Sequence, residues 1–340
     1  MEGMMKCAIY KSAKNIVVEE RAIPSISSKD VLVKVLRAGI CGSDVGIYLH
    51  GGEGYGLPSD SQFGHEMIGR IVEKGSDVAD DLNVGDVVFI DPTLSTENGV
   101  AGSTAAGAFC EYALVKNAAL NYNLYHLEDP DLDKLAIIEP LCVGTKAATM
   151  VEPKLDEKVV VLGAGTIGLS AAASLIARGL KKIVVVDRDS KRLEVARHLG
   201  AETVNTTEKD LKEELIRILG AFLGYFPLPD VDMYIEASGS SALFRQCFDL
   251  AREKTRYAVV SVLNEVTLNG LNFIATQPVI YGSRGYEHET IAEVIDHLQK
   301  NKTNIREIVT KKYKIDDFPQ AIADAASGKQ IKVLIDYEME

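Results

Sequence analysis

Short alternating runs of apolar and polar residues, interrupted by Gly, Asp and Pro, fill roughly the first 135 positions. Residues 16–20, 31–36, 67–73, 86–91 and 108–115 read as strands, because a period of two turns one side of each run towards a core. From 158 to 262 the pattern changes: the apolar runs KVVVLG, KIVVVD, VDMYIEA and YAVVSVL alternate with helix-length amphipathic stretches, which predicts a βαβ series with a parallel sheet. Beyond about 285 the pattern predicts a helix over 290–301, an apolar run at 305–309, a second helix near 318–327 and a last strand, IKVLIDY. This tail is unlike the middle, so the expectation is an interrupted first domain, 1–147 with 286–340, around an inserted domain, 148–285.

With 340 residues, 46% hydrophobic and 25% charged, the chain is long enough for two domains with full cores. The net charge of −12 argues against a nucleic-acid partner, which a basic face would have to hold. The N-terminus MEGMMKCAIY lacks the apolar core of a signal peptide, and the apolar stretch 170–177 is cut short at Arg178. A cytoplasmic protein without a membrane segment is therefore expected. Cys7, Cys41, Cys110, Cys142 and Cys247 are odd in number and widely spread, which suits separate thiols or a ligand better than a disulfide framework.

Two groups of residues carry chemistry. The strand-like KVVVL runs into Gly163, Gly165 and Gly168, a G-x-G-x-x-G followed by a helical stretch that starts with Thr166 and Ile167. The first glycine permits a tight turn, the second admits a pyrophosphate to the backbone and the third lets helix and strand pack closely. The next strand ends at Asp187, at the spacing of an acid that bonds an adenosine ribose, so a dinucleotide is the expected cofactor. The Asp187 carboxylate would repel a 2′-phosphate and favours NAD, while Arg188 and Arg192 are placed where an NADP phosphate could be met. The second group is Cys41 in AGICGSD, His65 and Glu66 in FGHEMIG, and Glu139 in AIIEPLCVG. A thiolate, an imidazole and a carboxylate together neutralise a dication and leave a fourth position open, the composition of a catalytic zinc site.

The segments AGICGSD, FGHEMIGRIVEKG, VGDVV, GAFCEY, IEPL, VLGAGTIG and VVVDRDSKRLEVA, in this order, resemble the zinc-dependent medium-chain dehydrogenases, in particular their polyol and sorbitol dehydrogenase branch. The resemblance implies an α/β chain made of a GroES-like, β-rich catalytic domain with an inserted, doubly wound Rossmann domain. It also implies zinc- and NAD-dependent oxidation of a secondary alcohol, and a homotetramer or dimer formed through the edge near residues 272–280. By the same resemblance Cys41 and His65 bind zinc. Glu66 and Glu139 share the remaining place, Glu139 being the preferred direct ligand and the other acting through water or an alternate state of the metal. Asp44 would orient His65, Ser43 would take the substrate proton, and Val143, Ser238 and Val262 would join the glycine motif in holding the cofactor.

The chain departs from that family in three places. Between Val88 and Tyr112 there is only Cys110, so a second, four-cysteine zinc is impossible and one zinc per chain is expected. Gly46 stands where many relatives carry a histidine that extends the proton path. In GSRGYE, Tyr286 matches a pocket tyrosine of sorbitol dehydrogenases, but Gly285 replaces its neighbouring arginine, with Arg284 one place earlier. Polyols, vicinal diols, cyclitols and 3-hydroxy amino acids all stay open as substrates. Two other readings compete: a zinc-free quinone or enone reductase, disfavoured by the Cys41, His65 and Glu139 set, and a nucleotide-binding protein that keeps the fold without turnover.

Overall fold

The structure, a computed structural model, describes residues 3–94, 107–224 and 226–339. Of the segment 91–107, expected to lack a second zinc, residues 95–106 lie outside the described residues.

The chain divides into two compact units, Met1–Glu139 with Val309–Glu340, and Pro140–Ile308. The junctions differ from the expected 147/148 and 285/286. The first falls inside the opening turn of the helix Ile138–Met150. The second falls later because the helix His288–Gln299 belongs to the inserted unit, where Glu293 forms a two-pronged ion pair with Arg178, at 2.7 and 2.9 Å.

In the first unit the strand Val31–Gly39 is the organising element. It pairs antiparallel with Glu66–Lys74 on one side and with Lys332–Asp336 on the other, so the tail returns to the first sheet as the apolar pattern implied. Eight of its nine residues, VLV and then VLRAG after Lys34, are buried, as a strand covered on both faces requires. Arg37 fixes the tail electrostatically, reaching Asp133 at 2.9 Å and Asp336 at 2.7 Å, and Lys312 closes the same cluster. Phe63, Phe109 and Phe318 pack edge-on and tilted in the core beneath. A smaller antiparallel sheet holds Asn15–Ala22, Met4–Ser12 and Ser61–Gln62.

The second unit is the expected doubly wound sheet. Its six strands are all parallel, in the order Glu202–Asn205, Lys182–Asp187, Lys158–Leu162, Met233–Glu236, Arg256–Val259 and Val279–Gly282. Sequence order reverses on either side of Lys158–Leu162, the switch point at which open α/β sheets bind ligands. Two features differ from expectation. Residues 272–276 of the presumed edge segment 272–280 lie in a helix, Gly270–Thr276, which the Asn269 side chain caps by accepting from Leu271 N; the strand is Val279–Gly282. A hairpin, Ala221–Leu223 with Pro227–Pro229, was not legible from the alternation pattern.

Candidate functional site

Three strand ends converge at one buried point of the first unit. Gly39, last in its strand, pairs with Glu66, first in the next, and two residues beyond Gly39 the chain reaches Cys41. Cys41 is the N-cap of the helix Gly42–His50, with a reciprocal capping box in which Asp44 Oδ2 accepts from Cys41 N at 2.9 Å. His65 follows Gly64, whose φ of +92° and contact with the Phe109 ring leave no room for a β-carbon. Ligand atoms of Cys41, His65 and Glu66 all lie within 4.8 Å of one another. His65 and Glu66 are buried and Cys41 is half-buried.

The pairing also explains where the Glu66 side chain goes. A β-carbon on Gly39 would stand 2.0 Å from Glu66 Oε2, so the carboxylate lies across the neighbouring strand only because residue 39 is glycine. From the opposite strand Lys332 Nζ reaches both oxygens of Glu66, at 2.6 and 2.9 Å, and the carbonyl of Ile40 at 3.0 Å. The pair is almost fully enclosed. Lys332 was missed in the sequence; a lysine opening the final strand, IKVLIDY, was its only signal.

The electrostatics are those of a site built for a cation. Burial opposes charge on His65, yet Cys41, through its electrostatic and hydrogen-bond contact, Asp44 and Glu139 together hold its pKa well above the usual imidazole range. Burial pushes Asp44 up to about 6 against the pull of His65. Burial, opposed by His65 and reinforced by Glu66, pushes Glu139 up to about 7. Asp44 Oδ1 and His65 Nδ1 are buried without hydrogen-bond partners and 3.9 Å apart. At that separation the expected orienting bond between them is not formed, while the other oxygen of Asp44 caps the helix that carries Cys41. Glu139, the preferred carboxylate of the sequence reading, sits at the second residue of its helix, within electrostatic range but outside the tight group, where Glu66 stands instead. A soft thiolate, an imidazole and a carboxylate with orphaned polar atoms around them fit zinc.

Ser43 and Gly46 are one turn apart on the helix Gly42–His50, and Ser43 is half-buried. A β-carbon at Gly46 would meet the Tyr55 hydroxyl at 2.1 Å, so this hydroxyl fills the space a side chain at 46 would need.

In the second unit Gly163 makes a tight turn and Gly168 allows a close backbone approach. Gly163 has φ +98° and lies against the Ser238 backbone, and a β-carbon on Gly168 would stand 1.9 Å from Gly163 O. Gly165 is open, with only Arg192 near the place of its β-carbon, at 3.6 Å. It begins the helix Thr166–Ala177 as an N-cap with no side-chain cap of its own, as a glycine must. Asp187 Oδ2 accepts from Ala164 N at 2.6 Å, and Oδ1 from Arg188 N and Asp189 N, which ties the glycine turn to the end of the next strand. Carboxylate oxygens retain further lone pairs for a ribose. Glu236, also missed, is fully buried and organises the adjoining loops through Ser238, Gly239 and Ser261. Val262 is exposed, its carbonyl near Gly239; Val143 is half-buried on the helix Ile138–Met150. Gly285 has φ +58°, in the left-handed region that favours glycine.

Residues 27–123 match the family model described as alcohol dehydrogenase GroES-like domain, and residues 166–300 the one described as zinc-binding dehydrogenase. The chain is 31% identical, over 95% of its length and 96% of the relative's, to an uncharacterized zinc-type alcohol dehydrogenase-like protein of Haemophilus influenzae. It is 29% identical to the sorbitol dehydrogenase of Bacillus subtilis, covering 97% of each chain. The crystal structure of an Escherichia coli oxidoreductase/dehydrogenase of unknown specificity superposes with a TM-score of 0.85, at 24% identity, over 98% of this chain and 99% of that one. The chain belongs to the zinc-type medium-chain dehydrogenase family, as an enzyme of the alcohol and polyol dehydrogenase class with a GroES-like domain and a Rossmann-like parallel sheet. No helix among the described residues is long and apolar enough to cross a membrane.

Proposed function

We propose that the protein oxidises a secondary alcohol, of the polyol, sugar-alcohol, cyclitol or vicinal-diol kind, to the ketone with zinc and NAD. The observation that carries this reading is the buried convergence of Cys41, His65 and Glu66. Cys41 and His65 hold the metal, with Glu66 and Glu139 sharing the carboxylate place; Lys332, by engaging both oxygens of Glu66, weakens that side as a donor and favours Glu139. When bound, zinc supplies Lewis acidity to a hydroxyl oxygen and the nicotinamide supplies the hydride acceptor. Asp44 fixes the start of the helix that carries Cys41 and Ser43. Ser43 Oγ accepts the substrate proton, and the Tyr55 hydroxyl stands one turn further along the same helix face, where Gly46 leaves room for it.

The NAD preference rests on Asp187, and the turn formed by Gly163, Gly165, Thr166, Ile167 and Gly168 receives the pyrophosphate. Arg188, Arg192, Ser238, Val262 and Val143 complete the cofactor contacts. Replacing Asp187 by serine raises the KM for NAD and narrows the gap to NADP; unchanged values for both cofactors would remove Asp187 from the site. The reading as a whole is tested by following cofactor reduction with a panel of polyols, diols and cyclitols. Quinone-dependent oxidation of NADPH, with no alcohol turned over, would assign the zinc-free reductase reading instead.

A homo-oligomer is part of the same proposal. Among the described residues no strand pairs the outer side of Val279–Gly282, and Leu271, Phe273, Ile274, Val279 and Ile280 are exposed beside it. An apolar open edge invites pairing with a second copy. Ile280→Lys is expected to lower the mass measured by light scattering towards one chain; an unchanged mass would place the interface elsewhere.

A further inference from the structure

Cys7 and Cys110 are joined by an isolated antiparallel bridge between the first strand and the segment that precedes Tyr112–Val115. The flanking bonds run from Ala8 N to Phe109 O at 2.8 Å and from Glu111 N to Lys6 O at 3.1 Å. This pattern makes Cys7 and Cys110 a non-hydrogen-bonded pair, for which the Cα atoms stand about 4.5 Å apart and the side chains face each other. That separation lies within the range a disulfide spans. The two thiols are in hydrogen-bond contact.

Polar groups border the pair. Gln62 Nε2 donates to Cys7 Sγ at 3.7 Å. Arg21, on the neighbouring strand at the diagonal position to Cys7, has a buried Nε without a hydrogen-bond partner, and its guanidinium interacts electrostatically with both cysteines. The hydrogen bond to Cys7 and burial push the Cys110 thiol up. Both residues are fully buried, which excludes bulky thiol reagents from the folded chain.

We propose that Cys7 and Cys110 form a peroxide-reactive dithiol that closes to a disulfide. Cys7 Sγ attacks one oxygen of hydrogen peroxide; the O–O bond breaks, a sulfenic acid forms and water leaves. Cys110 Sγ then attacks the Cys7 sulfur, the S–O bond breaks and a second water leaves with the Cys110 proton. Two thiols are oxidised to one disulfide and one peroxide is reduced to two waters. The disulfide bears on the metal site through the backbone. Ala108 N and Phe109 N bond the carbonyls of Gly64 and Phe63, directly before His65, and the Phe109 ring lies against Gly64. This second part rests on His65 as a zinc ligand; the disulfide itself does not.

The test uses the whole zinc-loaded chain treated with hydrogen peroxide, alkylated under denaturing conditions and mapped without reduction. A Cys7–Cys110 linked peptide, lighter by two hydrogen atoms than the two separate peptides and lost on dithiothreitol treatment, is expected. Zinc release to a chelator is expected to change in the oxidised chain, to return with dithiothreitol, and not to respond in Cys7→Ala. Recovery of both cysteines as alkylated thiols would overturn the dithiol. The linked peptide with unaltered zinc release would overturn the coupling to His65 and leave the dithiol standing.

Discussion

Replacing Lys332 by methionine lowers the stability of the metal-free chain by about 3–5 kcal/mol, the cost typical of removing one partner from a buried ion pair. The Glu66 carboxylate would remain enclosed, without the ammonium group that now touches both its oxygens, and the Ile40 carbonyl would lose its donor as well. Methionine keeps most of the volume, so packing contributes little to the loss. Two further results separate this charge argument from a general weakening of the core. The double variant with Glu66→Gln recovers most of the loss, since no lone buried charge is left. Zinc also offsets part of it, because a cation near Glu66 replaces the one removed. Denaturant titrations with zinc and with chelator measure both. Equal destabilisation in the two conditions, with no recovery in the double variant, would mean that Lys332 serves packing alone.

Cys41→Ala and His65→Ala are expected to remove zinc and to lower turnover by about a thousandfold or more. A metal that supplies several kcal/mol to the reacting oxygen accounts for this: about 4 kcal/mol corresponds to about 10³ in rate. NAD affinity should persist in both variants, because every proposed cofactor contact lies in the other compact unit, Pro140–Ile308. Binding measured by fluorescence titration, beside turnover, tells loss of the metal from loss of the fold. Full turnover in either variant would remove that residue from the site.

The legible part of the fold followed from periodicity. The KVVVL, KIVVVD, MYIE and RYAV strands are central strands covered on both faces, so their apolar runs identify them directly. Likewise, the return of the tail was readable because IKVLIDY does not continue the βαβ rhythm. The helix Gly270–Thr276 was not legible, since its cap, Asn269, lies in an apolar stretch that reads equally well as an edge strand. In the site, Cys41, His65 and Glu66 could be singled out because zinc chemistry limits which residues can serve. Lys332 could not, for its role depends on a strand from the far end of the chain lying beside Val31–Gly39. Asp44 shows the same limit. Its place in sequence suits both a helix cap and a histidine partner, and only the geometry shows that one oxygen caps while the other lies 3.9 Å from the ring.

The central claim is that Cys41, His65 and a buried carboxylate hold one catalytic zinc. Metal analysis by mass spectrometry on the purified chain, alongside Cys41→Ala, tests it most directly. The account predicts about one zinc per wild-type chain and close to none in the variant. A wild-type chain without zinc, or a Cys41→Ala chain that retains it in full, would contradict it.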